Sequence, residues 1–251
     1  MNRRTLLSGA GIGLSIGLCG CLEGGPVGDE NGENGNETAD NGDDGDDGDD
    51  GGTETISEDP RADSPPYPIE PPEPPEDPGD DEAWNEAYLG ENMPSEPTLR
   101  FERLSVPAGA RRDSALREAL GSGDDGYAAE LVTEEAGIDD AFDTEAMDDD
   151  EEARLRAVDF DEAAVVVVES GFGSGSVRHR WGRAEEEGAV LRLHGYYTDP
   201  FIQTDDITTR GSVLELERPA EGLEYARVSL TVAEDRRVHF NSTEGVVTLE
   251  R

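Results

Sequence analysis

Alternation of apolar and polar residues dominates the chain after Thr98 and predicts a protein built mainly from β-strands. Turn residues separate the apolar runs at intervals of about 8–12 residues, which is typical of an antiparallel sandwich or barrel. The predicted strands are TLRFERLSV, YAAELV, AAVVVVES, VRHRWGRAEE, AVLRLHGYYT, GSVLELERP, EYARVSLTVA, RRVHF and GVVTLE. In the first of these, Arg103 interrupts the alternation set by Leu99 and Phe101. The run AAVVVVES is continuously apolar at its centre, which indicates a strand buried on both faces.

Two short helices are expected beside these strands. RRDSALREALG places Leu116 and Leu120 four residues apart, with Asp113 or Ser114 as the N-cap. TEEAGIDDAFD has the same spacing at Ile138 and Phe142. DDDEEARLR is expected to be a charged loop or turn, and GFGSGS a hairpin turn, because a phosphate-binding loop needs a lysine that this chain lacks. The expected fold is therefore a β-rich α+β sandwich or barrel.

The chain divides by composition into three parts, 1–20, 21–97 and 98–251. Residues 22–97 hold 26 acidic residues and one arginine, and their second half, from Pro60, carries 11 of the 15 prolines. Segments this poor in apolar side chains cannot offset the entropy of ordering, so we expect a disordered acidic tether over 21–97. Within it, DEAWNEAYLG (81–90) has apolar residues at helical spacing and is a candidate for docking on the folded domain.

Residues 1–20 have the layout of an export signal, with Arg3 and Arg4 before an uncharged run rich in glycine. The arginine pair resembles a twin-arginine signal, and LCGC (18–21) resembles a lipobox. This resemblance implies that Cys19 leaves with the signal and that Cys21 carries the lipid that anchors the protein. An uncharged run from Thr5 to Leu22 could also be a membrane-spanning anchor, but its many glycines disfavour a permanent helix.

Charge sets the environment that we expect for the protein. All 20 basic residues are arginine, against 61 acidic residues, for a net charge of −41. Self-repulsion of this size weakens a compact fold at ordinary ionic strength and is screened within about 3 Å at molar salt. The composition therefore favours adaptation to high salt, although GC-rich coding would favour the same residues. Binding to nucleic acid is not expected, because no basic patch is evident.

The overall layout looks like that of uncharacterised lipoproteins of halophilic archaea. Within residues 158–200, VDFDEAAVVVVESGFGSGSVRHRW followed by GAVLRLHGYYTDP resembles PrcB-like domains. These are small β-rich modules associated with a secreted protease complex, and the resemblance implies a β-domain with a protein partner. The glycine-rich turn lacks the aromatic residue that usually follows it in that family.

Candidate chemistry along the chain is sparse. Strand parity predicts that His179 points inward, with Trp181, while His194 and His239 point outward, so the three histidines are not expected to bind a metal together. Asp199, Asp205 and Asp206 form an acidic loop that could hold a cation but is more typical of a solvated loop. Two sequons, at Asn36 and Asn241, are candidate glycosylation sites. No catalytic motif and no cofactor-binding motif is found.

These observations favour a lipid-anchored, cell-surface protein with a non-catalytic binding or structural domain that supports another envelope component. The alternative is an extracytoplasmic enzyme or ligand binder whose site is built from loops. A deep pocket lined by His179, Trp181 or Tyr197 would favour the alternative, and a flat sheet surface would favour the structural partner.

Overall fold

Ten strands and two short α-helices form the framework of the chain that the computed structural model describes, which is residues 54–250 without 78, 113, 115 and 117–124. Four 3₁₀ turns join them, at Asp81–Ala83, Tyr88–Gly90, Ala108–Ala110 and Thr144–Ala146. The strands are β1 (Ala62–Asp63), β2 (Phe101–Leu104), β3 (Asp125–Val132), β4 (Ala163–Gly173), β5 (His179–Glu187), β6 (Val190–Tyr197), β7 (Thr208–Glu217), β8 (Tyr225–Ala233), β9 (Arg236–Asn241) and β10 (Val247–Leu249). The helices are α1 (Ala136–Ala141) and α2 (Asp149–Arg156).

The strands form two five-stranded sheets, so the expected β-rich fold is confirmed in the form of a sandwich. The first sheet has the order β1-β9-β8-β6-β5 and the second has the order β10-β3-β4-β7-β2. All neighbours are antiparallel except β6 and β8. That pair is parallel because β7, which lies between them in the chain, belongs to the other sheet.

Strand β4 shows why its sequence is continuously apolar. On one face, Val166 and Val168 join the main hydrophobic cluster between the sheets. On the other face, Val165 and Val167 pack in a second cluster with residues of α1 and α2. The prediction of a strand buried on both faces is thus confirmed, and the two clusters place the helices on the outer side of the second sheet.

Helix α2 corrects one expectation. The sequence DDDEEARLR was expected to form a loop or turn, but it forms most of α2, whose N-terminus is closed by a capping box. Asp148 accepts from the Glu151 backbone N–H at 2.8 Å, and the Glu151 side chain accepts from the Asp148 backbone N–H. The acidic first turn and the arginines in the last turn also suit the helix dipole. The predicted helix in RRDSALREALG lies mostly outside the described residues.

The glycine-rich segment after β4 is also different from the prediction. It does not join a hairpin, because β4 belongs to the second sheet and β5 to the first. The segment instead carries the chain across the sandwich, and Gly173 to His179 is the crossing. The backbone N–H of Gly175 donates to Asp206 Oδ1 at 3.1 Å, which ties this crossing to the loop before β7.

The folded unit begins earlier than residue 98, so the expected boundary of the tether is wrong for residues 54–97. We call these residues the N-terminal segment. Strand β1 pairs with β9, and Tyr88 and Leu89 are buried in the main hydrophobic cluster. The segment gains order from specific side chains despite its many prolines, because ion pairs and a few aromatic residues hold it on the first sheet. The part of the predicted tether before residue 54 lies outside the described residues.

Ion pairs hold the beginning of this segment. Glu58, whose side chain is 5% exposed, accepts from Arg227 at 2.5 Å and from Asn241 Nδ2 at 2.9 Å. Asp63 forms two hydrogen bonds with Arg237, at 2.9 and 2.7 Å. Arg61 pairs with Glu244 through both guanidinium nitrogens. A buried carboxylate needs such partners, because an unpaired charge away from water is costly.

Candidate functional site

A chain of polar side chains crosses the interior between β4, β5, β6 and β7. The Tyr197 hydroxyl donates to Ser170 Oγ at 2.7 Å, and Ser170 Oγ lies 2.8 Å from His179 Nε2. His179 Nδ1 lies 3.1 Å from Ser212 Oγ. Ser170, His179 and Ser212 are all buried, and the His179 ring stacks on Tyr197 with ring centres 5.7 Å apart. The predicted inward direction of His179 is therefore confirmed.

The hydrogen bonds of His179 use both ring nitrogens. A neutral imidazole donates through one nitrogen and accepts through the other, so His179 donates to one of Ser170 and Ser212 and accepts from the other. Burial, together with the positive charges of Arg210 and Arg103, lowers the pKa of His179 to about 3. His179 is therefore a neutral imidazole at neutral pH, and the buried chain is a relay of neutral groups.

Three arginines lie beside this network of buried polar side chains. Arg103, Arg178 and Arg210 line a cavity of about 190 Å³ together with His179, Gly175, Thr208 and Thr209. Arg210 lies over the Tyr197 ring, with Cζ 4.8 Å from its centre. The cavity lies beside the edge strands of the two sheets, β5 and β2. Its lining combines the three arginines with two threonines, while the ring nitrogens of His179 are bonded to Ser170 and Ser212 in the interior.

These three arginines have no carboxylate partner among the described residues, although the chain carries 61 acidic side chains. Arg210 Nε is buried and meets no hydrogen-bond acceptor in that part of the chain. Burial, and repulsion from Arg180 and Arg178, lower the pKa of Arg103. We call Arg103, Arg178 and Arg210 the arginine cluster. It is a concentration of positive charge in a strongly acidic protein.

A second, larger cavity of about 440 Å³ adjoins the first. The two cavities share Arg103, Thr208, Thr209 and Gly211 in their linings. The other residues that line the larger cavity are the polar Arg111, Glu169 and Ser212 and the apolar or small residues Leu104, Val106, Pro107, Ala108, Gly109, Val167, Phe172, Ile207 and Val213, so its lining is polar and apolar in about equal parts. Its volume is in the range of small-molecule sites, which is roughly 300–1,000 Å³.

The other histidines lie elsewhere. His194 bonds Glu185 Oε1 through Nε2 at 2.8 Å, and His239 Nε2 lies 3.1 Å from Asp63 Oδ1. Both lie on the outward face of their strands, as expected, because their neighbours Leu193, Val238 and Phe240 face the core. Both are nevertheless buried, because charged side chains and the N-terminal segment cover that face. In the described part of the chain, no group of three His, Cys, Asp or Glu side chains is placed to hold a metal ion.

The acidic loop before β7 does not bring its carboxylates together. Asp199 accepts from Tyr88 and from Gln203, whereas Asp206 accepts from the Gly175 backbone. The loop is occupied by protein hydrogen bonds, and it packs against the glycine-rich crossing. Its carboxylates do not line the cavity of the arginine cluster.

Asn241 is corrected as a glycosylation site. Its side chain is buried, and Nδ2, the atom to which a glycan would attach, donates to Ile56 O at 2.7 Å and to Glu58 Oε1. The sequon instead forms a local turn, in which Thr243 donates to Asn241 Oδ1. Arg3, Arg4, Cys21 and Asn36 lie outside the described residues.

The sequence reasoning missed the arginine cluster. A signal was present at Arg103, since an arginine replaced the apolar residue expected on the inward face of β2. Arg178 also stands next to the inward-pointing His179. What the sequence could not show is that these arginines meet Arg210 and lack carboxylates, because pairing depends on the arrangement of strands that are far apart in the chain.

No helix in the described part of the chain is long and apolar enough to cross a membrane. Comparisons with family models, with curated proteins and with solved structures find no match to this chain. The function must therefore be inferred from the site itself.

Proposed function

We propose that the folded unit is a non-catalytic binding domain for a small anion, held at the outer face of the cell membrane by a lipid on Cys21 and adapted to high salt. One observation carries the proposal. In a chain of net charge −41, three arginines without carboxylate partners among the described residues converge on one cavity. Guanidinium groups bind carboxylate, phosphate and sulfate oxygens in fork geometry, and an anion would supply the missing negative charge.

The site suits contact binding in concentrated salt. At molar ionic strength the screening length is about 3 Å, so long-range attraction of the anion is lost. Hydrogen bonds at contact distance are screened less, and the cavity offers guanidinium groups together with Thr208 and Thr209. Ser170 stays out of reach of a ligand because it is completely buried, so we assign it a structural part. An envelope protein partner stays a prediction from the sequence.

The test is equilibrium dialysis of the full-length protein with radiolabelled sulfate and phosphate at fixed, high potassium chloride. We expect saturable binding, and a loss of at least tenfold in affinity when Arg103, Arg178 and Arg210 are all replaced by glutamine. The matched control replaces Arg112, Arg156 and Arg192, which pair with carboxylates, and so makes the same change in net charge. Equal binding by the two triple variants, or no binding by the unaltered protein, would contradict the proposal.

Anchoring has a separate test. Replacing Cys21 with serine should release the protein from the membrane fraction or leave it unprocessed, because the thiol that accepts the lipid is gone. Replacing Cys19 with serine is the matched control and should leave anchoring intact. Retention of the Cys21→Ser protein in the membrane at its mature size would overturn the lipid anchor and leave the anion proposal standing.

A further inference from the structure

The two adjoining cavities differ in the residues that line them, and four residues line both. The smaller one is lined by the arginine cluster, and the larger one adds a group of aliphatic and aromatic side chains beside its polar ones. Arg103, Thr208, Thr209 and Gly211 line both, so a molecule seated on the arginines would have the larger cavity directly beside it.

The larger cavity is close to neutral in charge once its own ion pairs are considered. Arg111 is in its wall but is paired with Glu130 at 2.5 Å and faces Glu169 at 3.7 Å. Arg103 is thus the charged side chain of this wall that has no carboxylate partner in the described residues, and it is at the junction. Positive charge is therefore available to a ligand at one end of the combined space only.

Part of the lining of the larger cavity is suited to hydrocarbon. Ile207, at the rim, is 79% exposed, the most exposed large hydrophobic residue in the described part of the chain. A Cβ built on Gly211 would meet no atom within 4 Å, so the strand leaves open room beside this glycine. Apolar surface of this kind is stabilised when a ligand removes it from water.

We infer that the ligand is an amphipathic anion, with its acidic head on the arginine cluster and a short hydrocarbon body in the larger cavity. The inference rests on the proposed function and adds the chemical class of the ligand. Charge complementarity places the head, since the guanidinium groups lie at one end. The apolar part of the lining and the exposed Ile207 place the body.

The test compares inorganic phosphate with straight-chain carboxylic acids of increasing length, by calorimetric titration of the full-length protein at fixed high salt. Each methylene that enters the cavity should tighten binding about fourfold, until the cavity is full. Gly211→Leu, which fills the open room, and Ile207→Ser, which removes the apolar rim, should both flatten this dependence on chain length. Phosphate affinity should change less than twofold in Ile207→Ser.

Matched controls separate cavity effects from general ones. Gly245→Leu introduces the same side chain at another open glycine that lines neither cavity. Ile202→Ser removes the other exposed isoleucine of the same loop, which also lines neither cavity. Both controls should keep the dependence on chain length.

Each failure has a different meaning. If phosphate binds and longer acids bind no more tightly than acetate, the amphipathic ligand is excluded and the anion site stands. If chain length strengthens binding equally in the Arg103, Arg178 and Arg210 triple variant, head and body are not bound together and the inference is overturned. If neither phosphate nor any acid binds, the proposed function itself fails.

Discussion

Arginines are used in opposite ways at two edges of the first sheet. Toward the β1 edge, Arg227 of β8 and Arg237 of β9 bind the carboxylates of Glu58 and Asp63 at 2.5 and 2.7 Å, and so hold the N-terminal segment in place. At the β5 edge, Arg178 lies with the other members of the arginine cluster around a cavity and has no such partner in the described residues. Arginine side chains therefore hold the N-terminal segment on the sheet in one region and have no carboxylate partner among the described residues in the other.

This comparison separates the arginines that stabilise the fold from the arginines that we propose bind a ligand. A buried carboxylate such as Glu58 depends on its arginine, because losing the partner leaves an uncompensated charge. Clustered arginines without partners repel one another and add little to the folded state. We propose that the fold keeps these arginines for a ligand, and three measurements can break or sharpen this distinction.

The largest effect is expected on acidification, through the histidines of the two regions. The pKa of His179 is lowered to about 3, below its ordinary value near 6.5. Between these two pH values the histidine is therefore protonated in the unfolded state and neutral in the folded state. The stability this provides is complete above pH 6.5 and is lost as the pH falls toward 3. At pH 4 the loss should be about 3 kcal/mol relative to pH 7.

Urea denaturation of the unaltered protein and of His179→Gln at pH 7 and pH 4 measures this loss. The acidic residues titrate in both proteins, so their contribution cancels in the comparison. The substituted protein should lose about 3 kcal/mol less than the unaltered one between the two pH values. His239→Gln is the comparison from the paired region. Burial lowers the pKa of His239, but Asp63 opposes that shift, so its effect should be smaller. Equal pH dependence of all three proteins would show that His179 is not held neutral.

The second effect concerns the paired edge. Arg227→Met leaves the Glu58 carboxylate buried without its cation, and should lower the free energy of unfolding by about 2 kcal/mol. This is at the low end for a broken buried pair, because Arg227 is 25% exposed. The double variant Glu58→Gln with Arg227→Met should regain part of the loss in urea denaturation at fixed salt. A double variant no more stable than the single one would argue against a charge-based attachment.

The smallest effect on stability is expected at the unpaired edge. Arg178→Gln removes one of several like charges and breaks no ion pair in the described residues, so the free energy of unfolding should change by less than about 0.5 kcal/mol. The same protein should bind phosphate more weakly in the dialysis experiment. A destabilisation similar to that of Arg227→Met, measured by the same urea titration, would erase the distinction between the two edges.

Most of the β-structure could be predicted because burial alternates along the strands. The continuous apolar run of valines in β4 predicted a central strand, and GFGSGS predicted a turn, although its first three residues lie within β4. The destination of that turn could not be predicted, since a glycine-rich segment serves a hairpin and a crossing between sheets equally well. Helix α2 carried its capping box in the sequence, but its charged composition hid the pattern that marks a helix.

The order of the N-terminal segment and the arginine cluster could not be predicted from periodicity, for a related reason. Glu58 and Asp63 are ordinary members of an acidic, proline-rich composition until Arg227 and Arg237 are brought beside them by the fold. Arg103 could be noticed as an irregular position on β2, yet its meaning depends on Arg178 and Arg210, which lie far away in the chain. Periodicity predicts which face a residue occupies, and it carries no information about the charge that meets it there.

The attachment of β1 to β9 also has a mechanical consequence. Four strand spacings, roughly 20 Å, separate β1 from β5 across the first sheet. Tension applied to the chain ahead of residue 54 would therefore load the hydrogen bonds of Ile56 and the ion pair of Glu58 before the ion pair of Asp63. The cavity lies at the opposite edge of this sheet, so we expect such a pull to leave its shape and its occupancy unchanged.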